Sequence, residues 1–191
     1  MKKKTTYTLA LLGILVALIL ILWFGVGTIN LGFVRITLAA IPVIVGALVL
    51  GVRSGLILAF CFGTVSFILG LNQPTQLIAP IFQASVVWGA LLCYLPRLMI
   101  PVFIGLIRKA TGRMNEKLSL ALSACGGSLT NTVLYLGFIV LLYAAMGFEN
   151  PTLLSTVGTT VLVGGLPEAA VAAILCPAIY LALKKAHLIR E

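Results

Sequence analysis

Two apolar runs meet at the tight junction Gly51-Val52-Arg53-Ser54-Gly55, and this junction limits what the chain can fold into. The stretch from Arg35 to Phe67, RITLAAIPVIVGALVLGVRSGLILAFCFGTVSF, has Arg53 in the turn between its two arms. Each arm as a helix is long enough to cross most of a hydrocarbon core. The rest of the chain repeats the pattern. It has 191 residues, of which 61% are hydrophobic and 9% charged, against about 25% charged in a soluble domain. Folded in water it would expose far too much apolar surface, so lipid is its natural solvent.

The runs predict six spans in a single domain, 1–191. Span 1 covers about Tyr7 to Gly25, span 2 Ile36 to Leu50 with Pro42 inside, and span 3 Gly55 to Leu71. A polar patch, Asn72 to Gln76, follows. The segment from Ala79 to Leu92 reads as a partly embedded loop or short helix. Span 4 then opens near Pro96, a residue suited to a first helical turn. Span 5 is Ser119 to Met146. After a Gly/Thr-rich stretch from Leu153 to Gly165, span 6 runs from Pro167 to Ala186, with Pro-Glu at its start. The expected fold is an all-α membrane protein, a bundle of six transmembrane helices. The basic N-terminus heads an apolar run too long for a signal peptide, which marks it as an uncleaved first helix.

The net charge of +9 sits at the ends of these runs. Six spans put eleven of the 13 Lys and Arg on one side, leaving Arg35 and Arg97 toward the other. The excess of basic residues marks that side, with both termini, as cytoplasmic. No basic stripe interleaved with aromatics points to nucleic acid.

Ionisable groups inside a span cost about 2.5–3.5 kcal/mol each and demand a reason. Arg97 and Glu168 fall near the outer ends of spans 4 and 6, Asn131 midway along span 5, and Gln83 and Trp88 before span 4. One reading is an outward-opening polar pocket built mainly by spans 4 to 6. Arg97 then pairs with a ligand carboxylate, a geometry suited to guanidinium, while Asn131 and Gln83 bond its amides or hydroxyls. The other reading is structural: Arg97 pairs with Glu168 or snorkels to the interface, and Asn131 glues helices.

Other chemistries lack their groups. There is no GxxxxGK[ST], HExxH or GxSxG, no aspartate, and one histidine, His187, in the tail. An ATPase, a hydrolase and a His-based metal site are therefore not expected. Cys61, Cys93, Cys125 and Cys176 read as small residues of apolar runs. No cofactor or metal is expected.

Family signatures lie along the same segments. Ile41-Pro42-Val43-Ile44-Val45-Gly46-Ala47-Leu48-Val49-Leu50-Gly51, Ser54-Gly55 and Phe62-Gly63-Thr64-Val65-Ser66-Phe67 are joined by Leu95-Pro96-Arg97-Leu98. Gly127-Ser128-Leu129-Thr130-Asn131-Thr132-Val133-Leu134 and Gly165-Leu166-Pro167-Glu168-Ala169 complete the set. In order and spacing they resemble the substrate-binding (S) components of energy-coupling factor vitamin transporters, over nearly the whole chain. The resemblance implies a prokaryotic plasma-membrane subunit that binds a vitamin from outside and has no ATPase of its own. Its implied partners are a membrane-embedded coupling (T) protein and two cytoplasmic ATPases, on which the loaded bundle topples to release its cargo. In that family an AxxxA motif on the first helix contacts the coupling protein. Here the position reads Gly13-x-x-x-Ala17, with Ala10 on the same face. The Pro-Arg pair and the Thr-Asn-Thr-Val run look most like pantothenate-type members. Folate, riboflavin, pyridoxine and thiamine-precursor binders remain alternatives, as does a structural membrane protein without a ligand.

Overall fold

The computed structural model describes residues 2–25, 28–30 and 35–186, with side chains described for 6–25 and 38–186. Most of the first loop, and His187 with the tail, lie outside the described residues. Helix α1 spans Lys2–Phe24. An antiparallel ribbon of β1 (Thr28–Asn30) and β2 (Arg35–Thr37) follows, with Ile29 opposite Ile36. Then come α2 (Ala40–Leu50), α3 (Val52–Asn72), α4 (Ala79–Ala84), α5 (Val86–Ala110) and α6 (Glu116–Met146). A last helical run joins α7 (Leu153–Thr160), a π turn (Val161–Gly165) and α8 (Leu166–Lys185).

Five helical runs are long and apolar enough to cross a membrane: those ending at Phe24, Asn72, Ala110, Met146 and Lys185. The chain is a multi-pass membrane protein. Helix α2 is shorter. Its eleven residues reach about 16 Å, roughly half a hydrocarbon core, and eight of the eleven are buried. The expected span from Ile36 is thus replaced by a ribbon strand and a short interior helix. Pro42 falls in the first turn of α2, where the missing N–H would have had no partner anyway. Gly51 makes the break between α2 and α3 with φ +87°, a conformation side chains resist.

Close approaches at small residues fix the packing directions. A Cβ added at Gly55 would lie 2.7 Å from Pro101, and one at Gly63 would lie 2.8 Å from Tyr94. Since 55 meets 101 and 63 meets 94, α3 and α5 run antiparallel in steady register. A Cβ on Gly165 would lie 2.6 Å from Thr132, and Lys184 reaches Glu116 at 2.7 Å, so α6 and α8 are antiparallel too. Between helices in lipid such approaches take the place of a hydrophobic driving force. One end of the bundle gathers Arg108 and Lys109 of α5, Lys117 of α6, and Lys184 and Lys185 of α8. There Arg108 donates to Ser119 Oγ at 3.2 Å and lies 5.8 Å from the Tyr180 ring.

Prolines depart most from the expectation. Helix α5 starts ten residues before Pro96 and contains both Pro96 and Pro101. Pro167 falls in the first turn of α8 with Glu168, as expected, but the chain is already helical before it. The π turn precedes it, with Leu166 N–H donating to the Val161 carbonyl, five residues back. Widening the turn makes room for a ring that an α turn would push against the carbonyl four residues back. The four cysteines are free thiols within helices.

The buried apolar residues form two clusters. One joins α1, α2 and α3 to Ile100, Ile104, Ala124, Ala172 and Cys176. The other joins Leu77, Ile78, Ile81 and Phe82 to Leu92, Cys93 and the C-terminal half of α6.

Candidate functional site

A cavity opens where the two clusters meet, drawing Trp23 and Phe62 from the first and Ile78 and Leu136 from the second. About 740 Å³ of atom-free space lies within its outline, the open solvent at its mouth included. Its polar wall is Ser66 from α3, Gln73 and Thr75 just after α3, Arg97 from α5, Asn131 and Thr132 from α6, Thr160 from α7 and Glu168 from α8.

Arg97 is 5% exposed, and its placement follows from its neighbour. Pro96 has no N–H to give the carbonyl of Leu92, four residues back. Arg97 Nη1 donates to that carbonyl at 3.0 Å. Its Nη2 donates to Ser66 Oγ at 3.1 Å, and the Ser66 hydroxyl donates in turn to Cys93 Sγ at 3.7 Å. The guanidinium carbon lies 4.4 Å from the centre of the Tyr135 ring and 5.4 Å from that of Phe62. Two hydrogen bonds and two aromatic faces hold the group, and Nε is buried without a partner.

Two acceptors share this condition. Asn131 Oδ1 and Glu168 Oε1 are buried and have no hydrogen-bond partner. Buried polar atoms are nearly always paired, and each one left alone costs about 1–3 kcal/mol. Three unpaired atoms on one cavity, one donor and two acceptors, form a surface complementary to a polar guest. Such a guest offers an anionic acceptor to Arg97 and donors to Asn131 and Glu168.

The cavity brings together Arg97, Asn131 and Glu168 and leaves out Gln83 and Trp88. Gln83 is on the exposed side of α4. Trp88 is 41% exposed, with its ring centre 6.3 Å from that of Phe138. Both face outward, away from the cavity. Depth changes for the charged pair. Because α5 begins at Val86 and the last helical run at Leu153, Arg97 and Glu168 lie mid-helix rather than at helix ends. Arg97 and Glu168 form no ion pair, so neither the pairing nor the snorkelling reading describes them.

The sequence reading missed Ser66, Tyr135, Thr132 and Thr160 as single residues, and it left out the wall supplied by α1, while the stretch Arg35–Phe67 does supply part of the wall through Phe62 and Ser66. Ser66 had a signal, as a hydroxyl four residues after Phe62 on an apolar helix. Tyr135 stands four residues after Asn131 on the same face. Ala10, Gly13 and Ala17 are all exposed on α1, away from Leu15, Ile19 and Trp23, which face the core.

Comparison with known proteins agrees with this arrangement. Residues 7–180 match the model of the family "ECF transporter, substrate-specific component". The chain is 31% identical over 198 residues to the pantothenic acid transporter PanT of Lactococcus lactis subsp. cremoris (strain MG1363), covering 98% of each chain. This multi-pass helical bundle with its polar cavity, matched by that family model along nearly its whole length, belongs to the substrate-specific components of ECF transporters.

Proposed function

We propose that this chain binds pantothenate in the cavity between α3, α5, α6 and α8 and delivers it to an ECF coupling module. The supporting observation is the set of unpaired buried atoms: Arg97 Nε, Asn131 Oδ1 and Glu168 Oε1. Pantothenate carries a carboxylate, an amide and two hydroxyls, which match one cationic donor and two acceptors. Its carboxylate binds Arg97, pre-set by Ser66 and Leu92 so that little ordering remains to be done on binding. Asn131 and Glu168 accept from its hydroxyl and amide groups. The name of the Lactococcus relative supports the same vitamin.

The chain crosses the membrane six times in this reading, α2 and the ribbon making up the second crossing. The end bearing Arg108, Lys109, Lys117, Lys184 and Lys185 faces the cytoplasm with both termini. The cavity opens at the other end, toward residues 73–78, and takes its ligand from outside. The exposed face of Ala10, Gly13 and Ala17 receives a membrane-embedded coupling protein, whose two ATPase partners supply the energy.

Binding of a vitamin panel to the purified protein tests this. Pantothenate is expected to bind at micromolar concentration or below and to co-purify from cells. Binding of a different vitamin in its place, or of none, rejects the assignment.

A further inference from the structure

The two hydrogen bonds of Arg97 leave one freedom open. They fix its terminal nitrogens, Nη1 at the Leu92 carbonyl and Nη2 at Ser66 Oγ. Nε lies off the line through those two atoms, so the aim of its N–H depends on how the guanidinium plane tilts about that line. What lies on the faces of the group sets the tilt. Tyr135 gives the closer face, its ring centre 4.4 Å from the guanidinium carbon against 5.4 Å for Phe62. The same ring lines the cavity, one turn along α6 from Asn131. It is half-buried, whereas Phe62 is a core residue at 1% exposure.

We propose that Tyr135 is a positioning residue for carboxylate recognition: its ring holds the Arg97 guanidinium at the tilt that presents Nε to the ligand. This rests on the pantothenate assignment. Nε is buried without a hydrogen-bond partner. A carboxylate arriving there needs the N–H already aimed, since a hydrogen bond weakens steeply off line. Without the ring the plane rocks about its two anchors, and ordering it again on binding weakens affinity. The aromatic face also attracts the cation, which a saturated side chain of similar size does not. Tyr135 thus acts, through Arg97, on the anionic end of the ligand. A residue that only walled the cavity would affect an acid and a neutral analogue of the same shape alike. The effect belongs to the ring, so phenylalanine preserves it.

Competition against labelled pantothenate on the purified protein tests this. The two competitors are pantothenate and its alcohol analogue, in which a hydroxymethyl group replaces the carboxylate. The wild type is expected to prefer the acid by at least about thirtyfold, as when one partner of a buried charged contact is removed. Tyr135→Leu is expected to cut that preference by about fivefold or more, the size of a desolvated cation–π contact. It does so by weakening the acid while the alcohol changes little. Tyr135→Phe retains the wild-type preference. Equal weakening of acid and alcohol in Tyr135→Leu makes Tyr135 a wall residue and overturns the proposal. So does a loss of preference in Tyr135→Phe as large as in Tyr135→Leu. A wild type that binds pantothenate and does not prefer it to the alcohol overturns the proposal and leaves the pantothenate assignment standing. Should Tyr135→Leu fail to fold, Tyr135→Met, which fills the space without an aromatic face, takes its place in each comparison. Absence of pantothenate binding to the wild type rejects the assignment, and the proposal with it.

Discussion

Arg97 and Glu168 share one cavity and do not pair with each other. A buried cation and a buried acid across a small space ordinarily close into a salt bridge, since leaving either charge uncompensated costs several kcal/mol. Here Arg97 is held back by Leu92 and Ser66, and Glu168 by a helix whose path is set by Pro167 and the π turn. The separation keeps both groups available to a third party. It also removes the structural reading in which the two only pin α5 to α8.

The first prediction follows directly. Arg97→Ala should lower pantothenate affinity by at least about a hundredfold, the loss of about 3 kcal/mol or more found when one partner of a buried charged contact is removed. Arg97→Lys should not restore it. Lysine lacks the planar fork that reaches Leu92 and Ser66 at once and still presents Nε. Titration calorimetry gives the affinity, and a monodisperse elution profile in detergent checks that the bundle survives. Unchanged binding in Arg97→Ala would make the residue purely structural.

How much of this the sequence carried depends on which force decides each feature. Long apolar runs locate α1, α3 and α6 well, because the bilayer sets their length. Intramembrane Arg97, Asn131 and Glu168 stand out because burying them is costly. Pro96 misled. It reads as a helix start, since a helix in water rarely survives an internal proline, whereas Pro167 does fall in the first turn of α8, with a helical run before it. In the bundle, Arg97 takes the carbonyl that Pro96 leaves, and a π turn makes room for Pro167. Gln83 and Trp88 misled in another way. Chain position gave their depth, while the side of the helix they occupy is decided by packing, such as Phe82 filling the space at Gly70 and Gly89. Ser66 was quoted in a family signature without a role, because only the folded antiparallel pair α3 and α5 brings it to Arg97.

The contact of Gly165 with Thr132 gives a second prediction. A methyl on Gly165 would meet Thr132 Cγ2 at 2.6 Å and push the π turn off α6. Overpacking of this kind costs about 1–3 kcal/mol. Gly165→Ala should lower the thermal midpoint and weaken pantothenate binding together, as Gly164, Gly165 and Glu168 line the same wall. Adding Thr132→Ser removes the offending methyl and should recover part of both losses. If the second change recovers neither, the tightness at this contact is not what positions Glu168.

A third prediction concerns the segment over the cavity. Tyr143 donates its buried hydroxyl to the Leu77 carbonyl at 2.9 Å, tying the C-terminal end of α6 to residues 73–78. Thr75 and Ile78 of that segment line the cavity. Tyr143→Phe leaves the carbonyl without its donor at a cost of about 1–3 kcal/mol. Amide exchange should rise in residues 75–82 and little elsewhere, and both association and dissociation of pantothenate should quicken. Exchange that rises evenly along the chain would mean that the bond supports the whole bundle instead.

The last prediction separates binding from assembly. A Cβ placed on Gly13 meets nothing within 4 Å, and Ala10 and Ala17 beside it are exposed. Gly13→Leu therefore adds a side chain into space the isolated chain leaves open, and stability and pantothenate affinity should stay near wild type. Two membrane helices that approach through small residues do so at backbone distance, which a leucine at the crossing prevents. Co-purification with the coupling protein should then fall sharply while vitamin binding by the free chain persists. Ala17→Leu on the same face should act alike. Ile14 is 58% exposed at the neighbouring position, and Ile14→Ala should change assembly far less. If Gly13→Leu assembles as well as the wild type, the small face of α1 is lipid-facing in the complex, and the coupling protein approaches from another side of the bundle.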